Sequence, residues 1–350
     1  MSATETGPKD VTVLLPVFFR DAAPERVRLL RRALESVQDQ AFPGAVELLL
    51  VDDGSPVPVE SHRQDLGPAG QAARILRSPT NRGVTHALNC GLAAARHGLI
   101  ARLDADDIWR PGKMAAQMEL FAADPDLSLC ATGMVLVTPE GKRLSEHVRP
   151  AEWGPILRFA VDVGCPFPHG SVVARRDVYL ALGGYPHLAS YDHCEDFALW
   201  SLWIRFFRPR MVEKVLYEYT VSPQAVSQTH AAQQARASGF LRQELAQLDL
   251  AERLPAAMVA FAAALGLSVL EAGLIALRMW RHALPVRMPE AALEPLRILL
   301  PDRDVDCLAH HPGALTPADM VQGERRMHGS GVIALARPVQ WSPAPVTLRA

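Results

Sequence analysis

The chain has 350 residues, enough for one large α/β domain with a smaller appendage, and an apolar content of 49% excludes a disordered or fibrous protein. Its 36 Lys and Arg residues nearly balance its 38 Asp and Glu residues, so no broad basic surface points to a nucleic acid partner. Any strongly charged region must therefore be local.

The cysteines and the first residues indicate a compartment. Five cysteines are spread along the chain, and a sparse, odd set is typical of a reducing environment rather than of a disulfide framework. The opening MSATETGPKD lacks the charged and apolar parts of a signal peptide. We expect a cytoplasmic protein, either free or associated with the cytoplasmic face of a membrane.

Strand and helix patterns alternate over the first 125 residues. Runs rich in Val, Leu and Ile predict four strands, at residues 11–17, 47–55, 74–78 and 99–104. Apolar residues at helical spacing follow from about Glu25 and again after Gly83. Continuous apolar strands that alternate with helices predict a mostly parallel sheet covered on both faces.

Acidic residues follow two of these strands. Asp52 and Asp53 come after the second strand, and Asp104, Asp106 and Asp107 come after the fourth. Ligands bind at the carboxyl ends of parallel strands, so both acidic groups should face one crevice.

The residue types around this crevice suggest a nucleotide and a metal ion. Phe18 and Phe19 follow the first strand, and an aromatic face can stack on a flat base. Mg²⁺ and Mn²⁺ take one or two carboxylates together with substrate phosphates and water, which Asp104 and Asp106 can supply. The alternative is an ordinary solvated turn, with Asp107 helping to start the next helix.

Six segments occur in an order and spacing that resembles the family 2 glycosyltransferases: VTVLLPVFFR, SVQDQ, LLLVDDGS, NRGVTHALNCGLAAARHGLIARLDADD, GSVVARRDVYLALGGY and CEDFALWSLW. The resemblance covers about residues 10–230. It implies a GT-A fold, which is a Rossmann-like, mostly parallel sheet with helices on both faces. It also implies a nucleoside diphosphate sugar donor, very often a UDP-sugar, with Mn²⁺ or Mg²⁺ as cofactor and inversion of the anomeric centre.

The resemblance implies a division of the chain. A flexible N-terminus over 1–9 would precede a glycosyltransferase domain over 10–230. Within that domain, residues 10–125 would bind the nucleotide and 126–230 the acceptor. Residues 231–350 match no motif, and their composition predicts a helical C-terminal region with an extended tail.

The resemblance also implies roles on the donor side. Asp53 matches the contact to the donor base, with Asp52 beside it, and Phe18 matches an aromatic position under the base. Asp104 and Asp106 match the Asp-x-Asp element, and Asp106 is the expected metal contact. Three further donor-side residues are expected: Pro16, Arg82 and Arg176.

On the acceptor side the resemblance assigns the catalytic base to Asp196, in the pair Glu195-Asp196. A positioned carboxylate can take the proton that an acceptor hydroxyl loses as it attacks the sugar. The apolar spacing that follows predicts the pair in the first turn of a helix, where simple capping is the alternative role. His169, Gly170 and Trp200 are candidate acceptor contacts, although the spacing of Trp200 and Trp203 also fits a helix core.

Two departures from the family pattern affect the expectations. Phe18-Phe19-Arg20 stands where relatives often have Tyr-Asn, and Thr220 stands where an Arg is expected, so the loop that would close over the diphosphate is in doubt. The Gln-x-x-Arg-Trp element of processive synthases is absent. A single sugar addition to a glycan or lipid-linked acceptor therefore fits better than polymerisation.

Three other classes of protein are compatible with parts of the pattern. A non-catalytic sugar-nucleotide-binding protein would keep Asp53 and Asp106 but could lose Asp196. A metal-dependent nucleotidyltransferase would need a Gly-rich phosphate loop near the amino terminus, and an NAD-linked oxidoreductase would need G-x-G-x-x-G after the first strand. Neither motif is present.

Two further features could indicate either a specific function or an ordinary structural role: a set of Cys and His residues and an apolar C-terminal stretch. Cys165, His169, His193 and Cys194 are zinc-binding types, but their spacing fits no common zinc motif, so core or loop roles are expected. Residues 255–280 are apolar apart from Glu271 and Arg278, and a buried or membrane-touching helix is expected rather than a span. The C-terminal region could thus contact a membrane surface or pair two protomers.

Overall fold

The computed structural model describes residues 10–21, 23–42, 44–188, 191, 193–221, 229–246 and 250–321. The strands are β1 (Val11–Val17), β2 (Val46–Asp52), β3 (Arg74–Arg77), β4 (Leu99–Arg102), β5 (Ile108–Trp109), β6 (Leu129–Val137), β7 (Arg143–His147), β8 (Val173–Arg175) and β9 (Pro209–Thr220). The helices up to the last strand are α1 (Pro24–Gln38), α2 (Gly67–Ala72), α3 (Val84–Ala94), α4 (Lys113–Ala123), α5 (Trp153–Asp162), α6 (Arg176–Leu182) and α7 (Glu195–Phe206). The later helices are α8 (Ala231–Ala246), α9 (Leu250–Leu265), α10 (Val269–His282), α11 (Glu290–Leu299) and α12 (Val305–Ala309).

Within the described residues the strands form one mixed sheet in the order β3-β2-β1-β4-β8-β6-β9-β5, with β7 paired to β6. The four predicted strands are all present and pair in parallel, as β3-β2-β1-β4. β8 is antiparallel to both β4 and β6, and β5 and β7 are also antiparallel to their neighbours. The sheet is therefore mostly parallel, as expected. Each antiparallel pair involves a strand that lies beyond β4 in this order.

Helices cover both faces because residues along each central strand alternate between two apolar clusters. Val13 and Leu15 of β1 are buried with residues of α1 and α4, whereas Leu14 packs with α3 and α7 on the other face. Each fully buried side chain of this size stabilises the fold by roughly 1.5–3 kcal/mol. This two-sided burial explains the continuous apolar runs in the sequence.

The C-terminal helices pack on the second of these faces. Phe261 of α9 and Ile275 of α10 belong to the same buried cluster as Leu14 and Phe207. The predicted N-terminal segment 1–9 and the predicted extended tail beyond residue 321 lie outside the described residues.

The apolar stretch 255–280 is divided between two helices. Gly266, with φ of +65°, ends α9, and Ser268 begins α10 by accepting from the Glu271 amide while Glu271 accepts from the Ser268 amide. Among the described residues no single helix has the length and apolar character to cross a membrane. The segments 253–265 and 269–282 reach that length and hydropathy only together, with a bend of 100° between them.

Candidate active site

A cavity of about 730 Å³ opens at the carboxyl ends of β1, β2 and β4. It lies between the loops that follow these strands and the first turn of α7. The predicted site residues that line it are Pro16, Phe18, Asp53, Asp104, Asp106, His169, Gly170, Glu195 and Asp196. The structure thus brings residues from five separate segments of the sequence to one concave surface, of a size typical of small-molecule sites.

The two aspartates after β2 have different surroundings. Asp52 is fully buried, accepts from the amides of Ser55 (2.8 Å) and Val59 (3.1 Å), and forms an ion pair with Arg77. Its carboxylate therefore holds the loop after β2 and does not line the cavity, so the expected donor contact through this side chain is wrong. Asp53 does line the cavity.

Asp53 connects the loop after β2 to the start of α3. Its carboxylate accepts from the backbone amides of Arg82 (3.1 Å) and Gly83 (2.7 Å). Gly83 has φ of +89°, a conformation that favours glycine. Arg82 contributes to this junction through its backbone, and its side chain is not among those that line the cavity.

The two phenylalanines after β1 separate. Phe18 is 37% exposed at the cavity, where its ring is available to a ligand. Phe19 is buried against His62, with ring centroids 5.9 Å apart, and its amide donates to the Ser55 hydroxyl. Only one of the two expected aromatic flanks is therefore present.

The loop after β4 presents two half-buried carboxylates to the cavity. Arg102, the last residue of β4, is buried and donates to Asp104 over 2.6 Å. Burial, and next the charge of Asp104, raise the pKa of Asp106 to about 6. A bound cation would relieve this repulsion, because it favours the ionised form of both carboxyl groups.

Asp107 fastens this loop to the end of β9. It is buried and accepts from the Tyr217 hydroxyl and from the Thr220 amide (2.7 Å), while the Thr220 hydroxyl donates to the Asp106 carbonyl over 2.6 Å. Burial, and then the charge of Asp106, raise the pKa of Asp107 well above its usual range. Thr220 stands where the family pattern has an arginine, and its bonds join the end of β9 to the loop after β4.

Replacing Thr220 with valine tests this joint. The variant loses the bond to the Asp106 carbonyl at nearly constant volume, so we expect the free energy of unfolding to fall by about 1 kcal/mol. The Thr220→Ser variant keeps the hydroxyl and should retain most of that stability. Chemical denaturation of the three proteins measures the difference, and equal losses in both variants would contradict the role of the hydroxyl.

The first turn of α7 carries the acidic pair, as the sequence predicted. Asp196 accepts from the Phe197 amide (2.7 Å) at one oxygen and from the Cys165 thiol (3.6 Å) at the other. Burial raises the pKa of Asp196 above its usual range. Burial, and then the charge of Asp196, raise the pKa of Glu195 to about 7. Both side chains line the cavity.

The raised pKa of Glu195 predicts a pH-dependent stability. Between pH 4.5 and about 7, Glu195 is protonated when folded and ionised when unfolded, so its contribution to stability is lost as the pH rises. The loss approaches about 1.4 kcal/mol per pH unit. Glu195→Gln should therefore be more stable than wild type at pH 8 and equal to it below pH 4.5. Urea denaturation across pH measures this, with the exposed Glu119→Gln as the control expected to show no such trend.

Two of the residues predicted on the acceptor side are a buried histidine and a glycine in close contact with β9. His169 shares a 2.8 Å hydrogen bond with the Tyr185 hydroxyl, and burial together with the charge of Arg102 lowers its pKa well below the usual range. A Cβ atom on Gly170 would collide with the Tyr217 hydroxyl that holds Asp107. Gly170 therefore permits the close approach of β9 to the cavity.

Two predicted contacts are wrong. Trp200 is fully buried with its ring edge-on to Phe167 and Tyr185, so it belongs to the core. Arg176 donates to the carbonyls of Leu92 (2.8 Å) and Ala93 (3.0 Å). Because β8 runs antiparallel to β4, the start of α6 lies at the amino end of β4, at the opposite edge of the sheet from the cavity.

The candidate zinc residues have separate surroundings. The Cys165 thiol contacts Asp196, His169 contacts Tyr185, and the His193 ring stacks on His230 with centroids 3.7 Å apart. In the part of the chain that the structure describes, no three His, Cys, Asp or Glu side chains are arranged to hold a metal ion. Asp104 and Asp106 provide two carboxylates, a set that suits Mg²⁺ or Mn²⁺ when a substrate diphosphate completes the shell.

Several residues that line the cavity were missed in the sequence, and two of them are arginines. Arg102 and Arg149 both line the cavity. A charged residue inside the apolar run LIARLD is a signal that could have identified Arg102, because a buried charge requires a partner. Arg149 follows an exposed hairpin strand, and no local pattern marks it.

Comparison of the sequence with known proteins relates the chain to a class of enzyme, the glycosyltransferases. Residues 12–182 match the model of the family described as Glycosyl transferase family 2. The matched segment, just under half of the chain, is similar to the family 2 glycosyltransferases.

Several named proteins are similar to the chain. It is 31% identical over 180 residues to the amylovoran biosynthesis glycosyltransferase AmsE of Erwinia amylovora, an alignment that covers 50% of this chain and 64% of AmsE. It is 27% identical over 203 residues to the putative glycosyltransferase EpsE of Bacillus subtilis, covering 58% of this chain and 68% of EpsE. The chain thus spans about two thirds of the length of these relatives.

Among solved structures, the chain is similar to a mannosyltransferase of Pyrobaculum calidifontis that was determined with GDP-Man and Mn²⁺. The identity is 20%, the alignment covers 79% of this chain and 87% of that protein, and the TM-score is 0.46.

Proposed function

We propose that the protein is an inverting glycosyltransferase that transfers one sugar from a nucleoside diphosphate sugar to a glycan or lipid-linked acceptor. A UDP-sugar is the proposed donor. The observation that carries the proposal is a single cavity lined by both the Asp104–Asp106 loop and the Glu195-Asp196 pair.

The donor side of the proposal rests on the strand ends. The ring of Phe18 would stack on the base of the donor nucleotide. Asp53, which follows β2, lines the same cavity. Asp104 and Asp106 would hold Mn²⁺ or Mg²⁺ against the diphosphate, where the ion neutralises the charge on the leaving group. Arg102 fixes the orientation of Asp104 from beneath the loop.

Asp196 is the proposed general base. Inversion by a single displacement requires a carboxylate that accepts the proton of the acceptor hydroxyl while the nucleoside diphosphate leaves. The Phe197 amide and the Cys165 thiol hold the two oxygens of Asp196 in place. Burial makes its carboxylate more basic than an exposed aspartate, which favours proton transfer near neutral pH.

The relatives suggest a setting for this activity. Their names refer to the biosynthesis of amylovoran and, for WbnJ of Escherichia coli, of O-antigen, which supports a role in cell-surface polysaccharide assembly. The proposed location is the cytoplasm, in agreement with five free cysteines. The C-terminal helices are the proposed surface for contact with a membrane or with a second protomer.

Calorimetric titration tests the donor side directly. UDP, GDP, dTDP and CMP are titrated into the full chain, each with Mn²⁺ and with EDTA. We expect one nucleoside diphosphate to bind with Mn²⁺ and to bind at least about ten-fold more weakly without it. Absence of nucleotide binding under every condition would refute the proposal. Metal-dependent binding without transfer from any donor sugar would favour a non-catalytic binding protein.

A further inference from the structure

Arg149 is a cationic residue at the acceptor end of the cavity. It follows β7 and lines the cavity together with Cys165 and Asp196. Its guanidinium stacks near the ring of Phe159, at 5.8 Å from the centroid. The side chain is held against the wall of the cavity rather than extended into solvent.

The guanidinium of Arg149 has unused hydrogen-bonding capacity. Nη1 is buried and donates to no acceptor among the described residues. An arginine stays charged in proteins, and a buried charged donor without an acceptor is more destabilising than a neutral one. Such a group is explained when a ligand supplies the missing acceptor.

The neighbouring carboxylate is already engaged. Asp196 and Cys165 lie near enough to act on the charge of Arg149, but Asp196 receives its hydrogen bonds from the Phe197 amide and the Cys165 thiol. No ion pair joins Arg149 to a described carboxylate. Arg102, a fully buried arginine of the same cavity, is instead paired with Asp104 over 2.6 Å. Arg102 therefore has an acidic partner, whereas Arg149 has no carboxylate partner among the described residues and keeps a buried Nη1 without an acceptor.

We propose that Arg149 binds an anionic group of the acceptor, a phosphate or a carboxylate, while the acceptor hydroxyl lies at Asp196. The inference rests on the proposed function, because it names the acceptor class of the same site. Guanidinium groups form strong, paired hydrogen bonds with phosphate and carboxylate oxygens. The position of Arg149 beside the base, rather than beside Asp104 and Asp106, favours the acceptor over the donor diphosphate.

The proposal is tested with three matched hexoses: glucose 1-phosphate, glucuronate and glucose. Each is titrated into the full chain by calorimetry with EDTA, so that no metal ion bridges a phosphate to Asp104 and Asp106. The wild type should bind at least one anionic hexose about ten-fold more tightly than glucose. The tighter of the two anions distinguishes a phosphate-bearing acceptor from an acidic sugar.

Three variants assign the preference to Arg149. Arg149→Gln should abolish it, and Arg149→Lys should keep part of it because the positive charge remains. Arg143→Gln removes an exposed arginine six residues away, on β7, and should leave the preference unchanged. The comparison of the wild type's affinities for the anionic hexoses and for glucose needs no variant. The test therefore remains possible even if the Arg149→Gln protein folds poorly.

Two results would overturn the inference. One is a wild type that binds all three hexoses equally or binds none, and the other is a preference that persists in Arg149→Gln. A separate titration of the nucleoside diphosphate with Mn²⁺ checks the assignment to the acceptor. A ten-fold loss of nucleotide affinity in Arg149→Gln would assign Arg149 to the donor instead. Failure of the wild type to bind nucleotide would refute the proposed function while leaving the anion preference measurable.

Discussion

Replacing Asp196 with asparagine should lower kcat for sugar transfer by about 10²–10⁴-fold, the usual contribution of a general base. The amide keeps the shape of the side chain but cannot accept the proton of the acceptor hydroxyl. Metal-dependent nucleotide binding should stay within about two-fold of wild type, because the proposed role of Asp196 is toward the acceptor and not the nucleotide. Product formation under saturating donor and nucleotide calorimetry measure the two effects separately.

Glu195→Gln is the matched control for Asp196→Asn. It removes the adjacent carboxylate of the same cavity and should reduce kcat far less. In the wild type the acidic limb of the kcat profile should lie above the usual aspartate range, since burial raises the pKa of Asp196 and the rate grows as the base ionises. Equal losses in the two variants, or substantial transfer by Asp196→Asn, would remove Asp196 from the role of base.

The first half of the fold was predictable from the sequence because its signals are local. Four apolar runs and the helices between them specify parallel strands, and the carboxyl ends of these strands locate the acidic loops without further information. Asp53, Asp104 and Asp106 therefore lie where the pattern predicted them. Prediction of this kind works only where the connections between neighbouring elements reveal the direction of each strand.

The direction of β8 explains why Arg176 was wrongly predicted to lie at the cavity. The short strand β8 gives no sign in the sequence that it runs antiparallel to β4, and its direction moves the following residue to the opposite edge of the sheet. Long-range pairing of this kind depends on contacts between residues about 75 positions apart, which a local pattern does not contain. The same limit applies to Thr220, whose bond to the Asp106 loop spans 114 positions.

Burial decides the remaining differences. Asp52 and Asp53 are adjacent in the sequence and chemically identical, yet one is fixed inside its loop and the other faces the cavity. Successive side chains along an extended backbone point to opposite sides. One member of such a pair therefore packs inside the protein while the other faces the cavity. Phe18 and Phe19 divide in the same way.

Asp106→Asn should weaken Mn²⁺-dependent binding of the nucleoside diphosphate by at least about 10–100-fold, the loss seen when even a residue behind a metal ligand is removed. Without Mn²⁺, the variant and the wild type should bind the nucleotide equally. The fold should not be destabilised, because burial and the charge of Asp104 already raise the pKa of Asp106 to about 6. Calorimetry with Mn²⁺ and with EDTA, supported by thermal unfolding, measures all three expectations.

The exposed Asp65→Asn variant is the control for Asp106→Asn, since it removes one negative charge from the surface without touching the cavity. A similar loss of affinity in both variants would indicate a general effect of charge rather than coordination. An Asp106→Asn protein that keeps the full Mn²⁺ dependence would place the metal ion elsewhere. In that case the ion pair of Asp104 with Arg102 would be what offsets the repulsion between Asp104 and Asp106.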